Sequence, residues 1–201
     1  ANVARLAVAQ ALNGANSAVI FATGAIVGAT LAPDIAYATV PLSVYVVGVA
    51  AGTLPTGAIS RRYGRRVAFI IGTASGAITG LLGAVAILWG SFSLFCLATF
   101  FGGLYGAVAQ SYRFAAADGA SAAYGRKAVA WVMAGGVFAG VLGPQMVQWT
   151  MDFWPPYLFA VSFITQAVIA LIAMAVVSGV DAPRPATVTS GGGRPLSGIA
   201  R

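Results

Sequence analysis

The sequence predicts an all-α integral membrane protein, a bundle of six transmembrane helices. Of its 201 residues, 59% are hydrophobic and only 7% are charged, whereas a soluble domain is about 25% charged. The 11 basic and 4 acidic side chains are too few to cover a soluble domain of this size. Apolar runs of about 20 residues, the length that crosses about 30 Å of hydrocarbon as a helix, recur along the chain. The one-residue alternation of membrane barrel strands is absent.

Six such runs follow one another between charges and turn residues. The predicted spans cover residues 3–31, 37–59, 67–88, 92–117, 128–149 and 157–179. The segments that bound them are Ala32-Pro33-Asp34, Arg61, Trp89-Gly90-Ser91, Asp118, Thr150-Met151-Asp152 and Pro155-Pro156. We predict one six-helix transmembrane domain over residues 1–180. Residues 181–201, rich in Pro, Gly and Ser, are expected to form a flexible cytoplasmic tail or an interdomain linker.

The basic residues predict the orientation, because Lys and Arg accumulate in short cytoplasmic loops. Outside the predicted spans they lie on one side only, at Arg61, Arg62, Arg65, Arg66, Arg126, Lys127 and after the sixth span. The intervening loops carry Asp34 and Asp152 and no Lys or Arg. We therefore expect both termini to be cytoplasmic. Because the net charge of +7 is divided among these gaps, it indicates topology rather than nucleic-acid binding.

The reactive side chains are too few for enzymatic chemistry. The chain has no histidine and one cysteine, Cys96, which lies in an apolar run. The four acidic residues are scattered, so no catalytic triad, metal site or close carboxylate pair is predicted. We expect neither an enzyme nor a bound cofactor.

The segment between the second and third spans carries a specific pattern. It reads Gly57-Ala58-Ile59-Ser60-Arg61-Arg62-Tyr63-Gly64-Arg65-Arg66. This resembles the signature loop of the major facilitator superfamily, Gly-x-Leu-Ala-Asp-Arg-x-Gly-Arg-Arg/Lys, at the same place in the order of helices. Arg61 stands where that family usually has Asp, a carboxylate that joins a charge network latching two halves together. The resemblance therefore implies a latch that differs in this chain.

A second similarity covers the fourth and fifth spans. Asp118 resembles the acidic residue that closes the family's fourth helix, and Arg126 its basic start of the fifth. Gly143-Pro144 is similar to an element of exporters and antiporters, which mildly favours export. Val147 replaces a further glycine of that element. The arginine that many proton-coupled members carry early in the fourth helix is absent, which weakens a prediction of proton coupling.

The resemblance implies an architecture and partners. Spans one to three would repeat in spans four to six with inverted topology, and solute would bind near mid-membrane, between this half and a second six-helix half. That half is expected in the same polypeptide, which the linker-like tail favours, or in a homodimer mate. The other expected partners are the lipid bilayer of a bacterial-type inner membrane and a small solute, and no nucleic acid.

Polar groups inside the membrane are the candidates for the solute pathway, because they are costly unless they face a partner or a cavity. They are Gln10, Asn13 and Asn16 with Ser17 in the first span, Tyr105, Gln110 and Arg113 in the fourth, and Gln145 in the fifth. The resemblance places spans one and four around the cavity, which favours Asn13, Asn16, Gln110 and Arg113. Two alternatives remain open: the amides hydrogen-bond across helices, and Arg113 pairs with Asp118 or extends to the interface.

These observations predict a secondary active transporter that moves a small organic solute by alternating access. An arginine facing the cavity favours an anionic or carbonyl-bearing solute. The alternative is a non-transporting helical subunit of a larger membrane complex, which keeps the fold without the activity.

Overall fold

The computed structural model describes residues 2–118 and 124–180, and the predicted tail at 181–201 lies outside them. Over the described residues the chain is helical without any strand, and six helical spans are long and apolar enough to cross a membrane. The helices are α1 (Asn2–Leu31), α2 (Val40–Tyr63), α3 (Arg65–Trp89), α4 (Phe92–Ala109), α5 (Tyr112–Asp118), α6 (Gly125–Thr150) and α7 (Ala160–Ser178). Because α4 and α5 together make the fourth span, the prediction of an all-α bundle of six spans is confirmed.

The signature segment is almost entirely helical, so the prediction of a loop there is wrong. α2 continues to Tyr63 and α3 begins at Arg65, which leaves Gly64 alone between them. Gly64 has φ 93° and ψ 157°, a conformation available in practice only to glycine. The apolar run ends at Ile59, but the helix continues, because arginine is a good helix former.

The fourth span is interrupted, whereas the sequence predicts one continuous helix. At the junction of α4 and α5 the amide of Ser111 donates to the carbonyl oxygen of Val108, at 2.9 Å, a tighter turn than the α-helix makes. No Gly or Pro signals this break in the sequence. Gln110, which precedes Ser111, lies at the break.

The helix contacts have the symmetry of an inverted repeat. The first span, α1, packs chiefly against the fifth, α6, and the second, α2, against the fourth, α4. Exchanging spans one with four and two with five turns the first contact into the second. The pair of α3 with α7 maps onto itself, and the close contact of α3 with α4 maps onto a smaller contact of α1 with α7. This is the pattern expected of a three-plus-three repeat.

Glycines bring the second and fourth spans together. A Cβ atom added at Gly103 of α4 would collide with the carbonyl oxygen of Tyr45 and come within 2.7 Å of the Cα of Gly48, both on α2. Small residues at such positions let membrane helices approach closely. Tyr45 is thereby held against α4.

Two aromatic clusters fill the bundle at different depths. Phe69 of α3 meets Tyr112 of α5 edge to face, with ring centroids 4.9 Å apart. Toward the other end, Phe95 of α4 meets Phe163 of α7 at 5.5 Å. The hydrophobic core around Phe69 and Tyr112 includes Leu6 and Ala9 of α1. The core around Phe95 and Phe163 includes Val19 of α1. The stretch of α1 between them is where a polar cavity opens.

Candidate solute cavity

A cavity of about 340 Å³ opens between the first, second, fourth and fifth spans. Its lining residues are Gln10, Asn13, Gly14, Ser17, Tyr45, Gly106, Ala109, Gln110, Arg113, Val132, Met133 and Gly136. The volume is within the range of small-molecule sites, about 300–1,000 Å³. Four of the predicted pathway residues therefore line the same cavity, namely Gln10, Asn13, Gln110 and Arg113.

The polar face of α1 forms one wall. Gln10, Asn13 and Ser17 are three and four residues apart, which places them on the same face of a helix. Asn13 is 3% exposed, and its Nδ2 donates to the carbonyl oxygen of Tyr105 at 3.3 Å. The hydroxyl of Tyr45 donates to Ser17 Oγ at 3.0 Å. Both contacts anchor the polar face of α1 to neighbouring helices.

The fourth span contributes a cation to the opposite wall. Arg113 Nη2 donates to Gln110 Oε1 at 3.2 Å. Its Nε is buried without a hydrogen-bond partner among the described residues. Of the residues that the structure describes, Arg113 is also the only charged one that lines this cavity. The guanidinium group thus has unused donor capacity beside the cavity.

Asp118 does not pair with Arg113. Its carboxylate forms an ion pair with Arg65, which joins the end of α5 to the start of α3. Arg113 and Asp118 are five residues apart, a spacing that puts them on different faces of a helix. The alternative that Arg113 is held by Asp118 is therefore wrong for this structure.

Three predicted pathway residues lie outside the cavity. Asn16 is 1% exposed, and neither atom of its amide group has a partner among the described residues. Tyr105 offers its carbonyl oxygen to Asn13, while its ring packs against Gly76 of α3. Gln145 is exposed on α6, nine residues or about 13 Å beyond Gly136.

Tyr45 is a cavity residue that the sequence reasoning missed. It is 6% exposed, and its ring meets Phe21 edge to face at 5.2 Å. The sequence held no signal for it, since Tyr45 is the sixth residue of α2 and tyrosine near the end of a span is common at membrane interfaces.

The remaining motif residues lie away from the cavity. Arg61, Arg62 and Arg66 are exposed where α2 ends and α3 begins, and Arg126 is exposed at the start of α6. We call this end of the bundle, marked by these four arginines and the pair of Arg65 with Asp118, the basic end. A Cβ at Gly57 would meet no atom within 4 Å, so close packing does not explain that glycine.

The Gly143-Pro144 element lies within an unbroken helix. α6 runs through Pro144 from Gly125 to Thr150. Gly143 is buried against α1, where an added Cβ would collide with Ala18. Gly143 therefore lets the first and fifth spans approach closely, whereas Pro144 is exposed.

Comparisons with known proteins place this chain in a family. The family model described as the Major Facilitator Superfamily matches residues 6–200. The riboflavin transporter RfnT of Brucella anthropi is 40% identical over 100% of this chain and 51% of its own length. The uncharacterized MFS-type transporter YdeG of Bacillus subtilis is 29% identical over 74% of this chain and 34% of its own length.

The fold is shared with a transporter of known structure. The xylose transporter XylE from E. coli, in a partially occluded inward-open conformation, matches with a TM-score of 0.74 and 18% identity, over 88% of this chain and 48% of that one. The chain spans about half the length of RfnT and of XylE, and about a third of YdeG. It belongs to the major facilitator superfamily, a family of membrane transporters rather than enzymes.

Proposed function

We propose that this chain forms one half of a secondary active transporter that carries a small organic solute across the membrane by alternating access. The observation that carries the proposal is the convergence of Gln10, Asn13, Gln110 and Arg113 on one cavity. Polar and charged groups at this depth are costly unless they serve a pathway or a partner. A non-transporting subunit, the alternative, would not need an open polar cavity.

The solute that we propose is riboflavin or a closely related heterocycle. Its main support is the 40% identity to a riboflavin transporter over the whole of this chain. Arg113 adds a chemical reason, because a guanidinium group with unused donors favours carbonyl oxygens, which riboflavin carries on its flat ring system. The cavity of about 340 Å³ would form one side of the site.

A second six-helix half would form the other side, either in the same polypeptide or in a homodimer mate. This proposal is supported by the chain's matching 51% of the length of its riboflavin-transporting relative. Apolar side chains exposed on α2 and α6, among them Val47, Val137 and Phe138, offer surfaces for lipid or for that half. We further propose that the basic end is cytoplasmic and that the protein resides in the inner membrane. Export stays a prediction.

Flux measurements on the complete protein that carries this chain test the proposed function. Labelled riboflavin is followed in both directions in cells that neither make nor otherwise transport it. We expect Arg113→Gln to lower the flux at least about tenfold, since a hydrogen bond to a charged group is worth about 1.5–3 kcal/mol. Lys127→Gln, which removes an exposed cation at the basic end, is the matched control and should stay within about twofold. Equal flux in both variants would contradict a role for the cavity.

A further inference from the structure

The hydrogen bonds inside the cavity determine which of its groups can donate to a solute and which can accept. An arginine side chain only donates, so Gln110 must turn its oxygen to Arg113, and its NH₂ group remains as a donor. A carbonyl oxygen only accepts, so Asn13 must turn its NH₂ group to Tyr105, and its Oδ1 remains as an acceptor. Ser17 Oγ accepts from Tyr45, which leaves the Ser17 hydroxyl hydrogen as a donor.

These groups follow one another in a defined order along the cavity. Ser17 lies one turn, about 6 Å, beyond Asn13 on α1, away from the basic end. Gln110 lies on the other side of Asn13, because it is five residues nearer to the basic end than Tyr105, the residue that Asn13 contacts. Arg113 lies beside Gln110. The order along the wall is therefore donor, acceptor, donor.

We propose that this wall binds the edge of a cyclic imide, in which a carbonyl, an N–H group and a second carbonyl stand side by side. Asn13 Oδ1 accepts from the imide N–H, Ser17 donates to one carbonyl, and Gln110 with Arg113 donates to the other. The ring system of riboflavin ends in such an edge, and so does uracil. The inference rests on the proposed function and sharpens its substrate class. A solute of the reverse polarity would set donor against donor and acceptor against acceptor, which leaves these groups unpaired once the solute covers them.

Calorimetric titration of the purified complete protein tests the inference with two ligands. The first is riboflavin, and the second is riboflavin methylated on the imide nitrogen, which lacks the N–H group and keeps both carbonyls. We expect the methylated ligand to bind at least about tenfold more weakly, the usual effect of losing one such hydrogen bond. Equal affinity for the two ligands would overturn the inference while leaving riboflavin as the solute.

Variants of the protein show which residue causes the difference in affinity between the two ligands. Asn13→Leu removes the acceptor at nearly the same volume, so both ligands should bind it with the same reduced affinity. Gln148→Leu, on an exposed face of α6, is the matched control and should keep the wild-type preference. A preference that survives Asn13→Leu would overturn the role of Asn13. If that variant does not fold, the comparison of the two ligands on the wild-type protein still decides.

A different result separates the inference from the proposed function. If riboflavin does not bind at all, riboflavin is wrong as the solute, and the titration is repeated with uridine and with uridine methylated on its imide nitrogen. Binding of uridine but not of its methylated form would support the imide edge. Binding of neither would overturn it.

Discussion

At the scale of single residues, small side chains set the distance between helices, and this distance builds the cavity. Gly103 allows α2 to lie directly on α4, where Tyr45 can reach Ser17. Gly103→Ala would force the carbonyl oxygen of Tyr45 and the Cα of Gly48 away from α4. We expect a loss of about 1–3 kcal/mol in unfolding free energy, the usual cost of overpacking, measured as a lower midpoint of thermal unfolding in detergent.

The matched control for Gly103 is Gly140. It is also a helical glycine, in α6, but an added Cβ there would meet no atom within 4 Å. Gly140→Ala should therefore leave the unfolding midpoint unchanged or raise it slightly. If the two alanine variants were equally stable, the close contact of α2 with α4 would not be what holds Tyr45 in place.

The sequence predicts part of the cavity because burying polar groups in a membrane has a known cost. That cost singles out Gln10, Asn13, Gln110 and Arg113, and helical spacing puts the α1 residues on one face. The same reasoning selects Asn16 and Gln145, which lie elsewhere, since it cannot tell a cavity from a buried seam or an exposed face. It misses Tyr45, whose position depends on how α2 packs against α4.

At the scale of elements, the ion pair of Arg65 with Asp118 ties the start of α3 to the end of α5. The side chains are 14% and 61% exposed, so the pair is expected to contribute at most about 1 kcal/mol. Asp118→Arg would place two cations together. We expect it to lower the unfolding midpoint by about 2–4 °C, and the double reversal Asp118→Arg with Arg65→Asp to recover most of that loss.

Asp152→Arg is the matched control for this pair, because Asp152 is exposed near the opposite end of α6. The midpoint of thermal unfolding should be the same for Asp152→Arg as for the wild-type protein. Adding Arg65→Asp to Asp152→Arg should not raise this midpoint. A double reversal at 65 and 118 that is no more stable than Asp118→Arg alone would show that the two side chains are not coupled.

The sequence predicts the six membrane spans but not the residues at which the helices begin and end. Apolar runs find the hydrocarbon core, whereas helix ends depend on backbone hydrogen bonds that continue into water. α2 therefore passes Ile59, and only Gly64 separates it from α3. The break at Gln110 and Ser111 has no composition signal, since neither residue is Gly or Pro.

At the scale of the whole molecule, the orientation in the membrane is the next feature to test. Positive loops predict that the basic end faces the cytoplasm. Single cysteines are introduced by Lys127→Cys at that end and Phe153→Cys at the other, in a background without other cysteines, Cys96 included. In intact cells an impermeant maleimide should label the cysteine at 153 and reach the one at 127 only after permeabilisation. The reverse pattern would invert the proposed topology.

The architecture as a whole follows from the inverted repeat. Exchanging spans one with four and two with five interchanges the contact of α1 with α6 and that of α2 with α4, and the polar cavity lies where these four spans meet. We propose that a second six-helix half completes this cavity. The chain's matching 51% of the length of RfnT supports this proposal.

Counterflow in proteoliposomes tests the central claim, that this cavity carries solute across the membrane, most directly. It requires neither the coupling ion nor the direction of transport to be known, because unlabelled riboflavin loaded inside drives labelled riboflavin inward. With the complete protein we predict a transient accumulation of label that Asn13→Leu reduces at least about tenfold. Accumulation no greater than in protein-free liposomes would contradict riboflavin transport, and accumulation unchanged by Asn13→Leu would contradict the proposed cavity.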